Sequence, residues 1–138
     1  MFEDERDDKI YNLIITKGTD MKNEYGQFTE KLYSKVDFLW KESMSGSYAT
    51  AGDEFYQKVD RIIMLAGLYK DNKELFEDLL KASEKYEIPI VLVRPLGVEE
   101  VPEILEEKAA TIVGWNANCI IDSVKDAPET MWKKIKKE

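Results

Sequence analysis

The sequence predicts an α/β fold of three layers: a five-stranded, doubly wound parallel sheet of order 2-1-3-4-5 with helices on both faces. Two observations carry this. Along 138 residues, five short apolar runs alternate with five segments of helical periodicity. The third and fourth runs, RIIMLAG (Arg61–Gly67) and IPIVLV (Ile88–Val93), are apolar at consecutive positions. A strand needs that pattern when helices cover both of its faces, as in a parallel sheet. Right-handed crossovers leave few strand orders, and 2-1-3-4-5 is a common one.

Each element has its own signal. Residues 1–9, MFEDERDDK, read as an acidic solvated tail ahead of one domain spanning 10–138. YNLIIT (Tyr11–Thr16) is the first strand, bounded by KGTD. Asp20 suits a helix cap, and Tyr25, Phe28 and Leu32 recur at helical spacing through residues 21–35. VDFLW (Val36–Trp40) is β-prone and reads as the second strand. The Ser-, Gly- and Ala-rich stretch that follows reads as a mobile loop over residues 43–53. Asp53 would cap a short helix carrying Phe55 and Val59. After the third strand, Asp71 with Glu74 resembles a capping box for a helix whose apolar face is Leu75, Phe76, Leu79 and Leu80, with Tyr86 near its end. Pro89 is tolerated at the entry of the fourth strand. A helix over residues 99–108 would bury Val101, Ile104 and Leu105. TIVGW (Thr111–Trp115) is the fifth strand, and Asn116 or Asn118 caps a last helix through Ile120, Ile121 and Val124.

Composition removes several classes of chemistry. Apolar residues make up 43% of the chain and charged residues 35%, a globular balance. No apolar run nears the roughly 18 residues of a membrane span. The acidic start is unlike a secretory signal or a transit peptide, so the expectation is a soluble cytoplasmic protein without a membrane partner. A net charge of −8 argues against general nucleic-acid binding. The basic KKIKKE at the end suits the last turn of a helix. There is no histidine, which excludes Ser-His-Asp and Cys-His catalysis and His-ligated metal. The single cysteine, Cys119, lies in NANCII and reads as a buried structural thiol. No metal or resident cofactor is expected.

In this fold ligands sit beyond the carboxyl ends of the strands, where the order reverses between the first and third. Five segments reach that edge: Thr16–Asp20, Glu42–Ser47, Ala66–Lys70, Arg94–Gly97 and Gly114–Asn116. Lys17, Gly18 and Thr19 form a tight turn whose amides could approach a phosphate. They lack the spacing of a P-loop and the glycines of a dinucleotide fingerprint. Gly67 and Tyr69 follow the third strand across the crevice. Arg94, held before Pro95, could bind a phosphate or carboxylate, or pair with Glu99 or Glu100. The third strand ends without the Asp, and the fifth without the Lys, that a phosphoacceptor site requires. The rim aromatics Tyr48, Tyr69 and Trp115 read as packing rather than as a flavin site.

VDRIIMLAGLY, IPIVLVRPLGVEEVPEIL and ATIVGWNANCIIDSVKDA, in this order and spacing, resemble the TIR-like, flavodoxin-fold family of small bacterial and archaeal proteins. That family includes the ThsB subunits of Thoeris anti-phage systems and a short methanogen member. The likeness spans residues 59–127, and residues 1–58 match only in pattern. Catalytic TIR domains cleave the nicotinamide–ribose bond of NAD with a glutamate in the helix after the third strand, four residues beyond a tryptophan. Counted back from Pro89, those two positions fall on Leu75 and Leu79. The resemblance therefore implies a TIR-like site without its acid. The implied function is a non-catalytic domain in signalling or anti-phage defence, acting through a protein partner, a homo-oligomer or a nucleotide-like ligand. Trp132 and Tyr69 are candidate contacts. The alternative is an NAD glycohydrolase or cyclase whose carboxylate comes from Glu42 or Glu77; a shifted register of that helix could bring Glu74, Glu77 or Asp78 to the cleft. Lys17, Thr19 and Arg94 would then hold the phosphates or ribose.

Overall fold

The computed structural model describes residues 10–16, 24–35, 38–66, 69, 72–94 and 103–126. Strand and helix alternate throughout: β1 (Ile10–Ile15), α1 (Glu24–Tyr33), β2 (Leu39–Glu42), α2 (Asp53–Tyr56), β3 (Arg61–Leu65), α3 (Lys73–Tyr86), β4 (Ile90–Val93), α4 (Glu103–Lys108), β5 (Thr111–Val113) and α5 (Ala117–Asp126). The strands form one parallel sheet in the order β2-β1-β3-β4-β5, as the apolar runs require. The fold is therefore the flavodoxin-like, doubly wound one.

Every residue of β3 and β4 is buried, which accounts for their unbroken apolar runs. Right-handed crossovers put α1 on one face and α2, α3 and α4 on the other, and α5 returns beside α1. Phe28 and Leu32 of α1 are fully buried, as are Phe76 and Leu79 of α3 and Ile120 and Val124 of α5.

The amino end of the sheet is locked by charge. Arg61 opens β3 and is only 2% exposed. Its Nε donates to the Val124 carbonyl at 2.8 Å, satisfying the end of α5, and its Nη1 donates to the Asp60 carbonyl at 2.8 Å. The guanidinium lies 5.8 Å from the Tyr11 ring centroid. The buried Asp60 carboxylate accepts the Asn12 backbone N–H at 2.8 Å, and the Asp60 N–H donates to the Asn12 carbonyl at 2.7 Å.

Several elements differ from the sequence expectation. The second strand lies at Leu39–Glu42 rather than Val36–Trp40. After α1 the Phe38 N–H returns to the Lys35 carbonyl, and the Phe38 ring stacks on Tyr11 at 5.6 Å. The second helix is a single turn beginning at Asp53, with Gly52 at the cap position; Val59 is buried beyond its end. Asn72, one residue after Asp71, caps α3: its side chain accepts from the Leu75 N–H at 3.4 Å. Asn116 is the cap of α5, accepting from the Cys119 N–H at 3.0 Å. Cys119 is exposed, not buried, because the inward stripe of α5 begins at Ile120. Ile104 is also exposed, since Leu105 alone turns inward from α4. The tail, Asp20, Asp71, Val101, Trp132 and the basic end lie outside the described residues. Among those described, no helix is long and apolar enough to cross a membrane.

Candidate functional site

The carboxyl edge is built first by the sheet itself. Thr16, next after β1, is fully buried, and its hydroxyl oxygen accepts the Leu65 N–H at 2.9 Å. Its own N–H donates to the Ile63 carbonyl at 3.1 Å. These bonds hold the ends of β1 and β3 together at the point where the strand order reverses. Thr16 therefore frames the crevice rather than offering a ligand group.

The described part of that edge contains a groove of about 420 Å³ between two walls. One wall is the segment after β2: Met44, Ser45, Gly46, Ser47 and Tyr48. The other is the start of α3: Asn72, Glu74, Leu75 and Asp78. A smaller cavity of about 170 Å³ adjoins it, sharing Tyr48 and Asp78 and continuing along α3 past Lys81 and Lys85. The helical repeat explains the second wall. Residues 74, 75 and 78 share one side of α3 near its start, while Phe76 and Leu79 point at the sheet.

Tyrosines set the first wall. The Tyr56 hydroxyl donates to the Tyr48 carbonyl at 2.6 Å, and the Tyr86 hydroxyl donates to Asp53 Oδ1 at 2.7 Å. The Tyr56 and Tyr86 rings stack at 4.8 Å, and Phe55 meets the Tyr56 ring edge-on at 5.0 Å. Burial pushes the Tyr56 phenol up to about 12, with the Tyr48, Tyr86 and Asp78 charges adding to it. Burial also raises Tyr48, helped by the Glu42 carboxylate and opposed by the Ser45 backbone. Tyr86 is raised first by its bond to the Asp53 carboxylate.

The candidate residues do not all converge on this groove. Leu79 is fully buried, as the helical pattern implied. Leu75 is only half-buried and forms part of the groove wall instead of filling the core. Glu42 is half-buried at the end of β2, paired in register with Leu13, and is not a groove wall residue. Glu77 is exposed and turned away. Tyr69 is half-buried, edge-on to Phe76 at 5.4 Å with Lys73 over its ring. Arg94 is exposed; its backbone N–H donates to the Val113 carbonyl at 2.9 Å. Trp115 packs near Phe28 at 6.1 Å. Lys17, Gly18, Thr19, Gly67, Glu99 and Glu100 lie outside the described residues. The acids that do reach the groove are Glu74 and Asp78, two of the three that a shifted register of this helix could bring to the cleft, and they share a helix side with Leu75. Among the described residues no group of three or more carboxylates or thiols could hold a metal ion.

No protein-family model matches the chain, and no curated protein matches it.

Proposed function

We propose that this protein is a non-catalytic TIR-like domain of signalling or anti-phage defence, which binds a nucleotide-like ligand or a protein partner at the carboxyl edge of its sheet. The observation that supports this most is the register of α3. The resemblance calls for a carboxylate at position 79, and the leucine there is fully buried under the sheet. A side chain in that place cannot stabilise the positive charge that develops as nicotinamide leaves. The groove still places the polar Ser47 and Tyr48 beside the apolar Leu75 and Met44, a mixture suited to holding a flat polar ligand.

One observation favours a second reading, an NAD-cleaving glycohydrolase or cyclase. Asp78 stands next to Leu79 in sequence and lines the groove together with Glu74. A carboxylate there could take the place of the missing glutamate. The two readings separate on turnover. Incubated with NAD at high protein concentration, the protein is expected to release no nicotinamide. Release that disappears in Asp78→Asn, Glu42→Gln or Glu77→Gln would replace the first reading with the second.

A further inference from the structure

The smaller cavity beside the groove has a chemistry of its own. Its volume of about 170 Å³ is close to the roughly 150 Å³ at which a cavity in a protein core admits benzene. Three alanines make the room, Ala49 and Ala51 before α2 and Ala82 on α3, since each side chain stops at Cβ. The Tyr56 and Tyr86 rings, stacked at 4.8 Å, form an aromatic wall. Both of their phenolic protons are already committed, to the Tyr48 carbonyl at 2.6 Å and to Asp53 Oδ1 at 2.7 Å. These tyrosines therefore offer a guest ring surface rather than donors.

Charge enters this cavity from α3 alone, and it changes sign along the helix. Asp78, Lys81 and Lys85 line it at successive turns. From Asp78 to Lys85 the helix advances about 10 Å, the length of one ring with a polar group at each end. Lys85 Nζ stands 5.2 Å from the Tyr86 ring centroid, a contact that holds its charge against the aromatic wall. Among the described residues neither lysine is engaged by a carboxylate, although Asp78 and Lys81 have the spacing for a pair. One end of the cavity thus carries an unspent acceptor and the other two unspent donors. We propose that it is a binding site for a small hydroxylated aromatic acid. The ring packs on Tyr56 and Tyr86 between the alanines, the carboxylate meets the Lys81 and Lys85 ammoniums, and the hydroxyl donates to Asp78. Asp78 repels a second anion, so a compound with carboxylates at both ends is refused. This goes beyond the reading above and does not rest on it: the cavity and the groove share only Tyr48 and Asp78.

Calorimetric titration of the full chain tests this, with para-hydroxybenzoate, benzoate, phenol, terephthalate and inorganic phosphate as probes. Para-hydroxybenzoate is expected to bind most tightly, with benzoate next. Phenol, which lacks the anion, and phosphate, which lacks the ring, should each bind at least about 10-fold more weakly than para-hydroxybenzoate, and terephthalate should not bind. Backbone amide shifts with para-hydroxybenzoate should fall on residues 48–51 and 78–86. Lys81→Gln combined with Lys85→Gln changes two exposed side chains, so the urea midpoint should hold while the affinity drops at least about 10-fold. Asp78→Ala should bring para-hydroxybenzoate and benzoate to equal affinity and admit terephthalate. Phenol or phosphate binding as tightly as para-hydroxybenzoate would overturn the proposal. So would full affinity in the double lysine variant, shifts away from the cavity, or no binding at millimolar concentrations. A preference for para-hydroxybenzoate that survives in Asp78→Ala would overturn the acceptor end. Failure of NAD to bind the groove, beside the expected results here, counts against the functional reading alone.

Discussion

The two ends of this sheet treat charge in opposite ways. At the amino end, Arg61 and Asp60 are buried and hydrogen-bond backbone groups of α5, β1 and Asp60 itself. At the carboxyl end, Glu74 is exposed and Asp78 half-buried, and both face an open groove. Charge spent on the chain's own carbonyls and amides stabilises the fold and is silent toward ligands. Charge left facing a cavity contributes little to stability and remains available for recognition. The contrast separates scaffold from site without any appeal to resemblance.

The largest effect should come from breaking the amino end. Arg61→Met leaves the buried Val124 and Asp60 carbonyls without their donor and should cost about 1–3 kcal/mol for each, read from the urea midpoint. Leu79→Ala should follow at about 2–5 kcal/mol, and Leu75→Ala should cost clearly less because that side chain already borders solvent. Equal losses at the two positions would erase the distinction between core and groove on α3. Thr16→Val strands the buried Leu65 N–H and should cost about 1–3 kcal/mol.

A pH effect sharpens the same comparison. The Tyr56 phenol holds its proton more tightly folded than unfolded, so the unfolded chain loses protons first as pH rises. Its contribution is intact below pH 10 and is lost between pH 10 and about 12. Denaturant titrations across that window should show stability falling, and the fall should shrink in Tyr56→Phe. Smallest of all, Asp78→Asn should leave the urea midpoint almost unchanged, since that carboxylate faces the groove.

How much of this could be read from sequence depends on how local each cause is. β3 and β4 were legible because burial on both faces writes itself into consecutive residues. The buried stripes of α1 and α5 were legible because helical periodicity is local. The shift of β2 was not, since Phe38 is as β-prone as any strand residue and only its stacking on Tyr11 shows why it closes a turn instead. Cys119 misled because it adjoins two buried isoleucines yet lies before the inward stripe. The groove itself was hidden. Its walls, 44–48 and 72–78, are distant in sequence, and tyrosine hydroxyls reaching Tyr48 and Asp53 fix the wall that carries Tyr48. Contacts of that kind leave no period or motif. Glu42, Glu77, Tyr69 and Arg94 are not among the walls of this groove, whereas Glu74, Asp78, Ser47 and Tyr48 are.

The central claim is that this edge binds without bond cleavage. It is tested most directly by titrating the protein with NAD while following backbone amide shifts and the nicotinamide resonances together. Shifts confined to residues 44–48 and 72–78, with NAD intact at the end, are the expected result. NAD signals giving way to free nicotinamide, at a rate that falls away in Asp78→Asn, would contradict it.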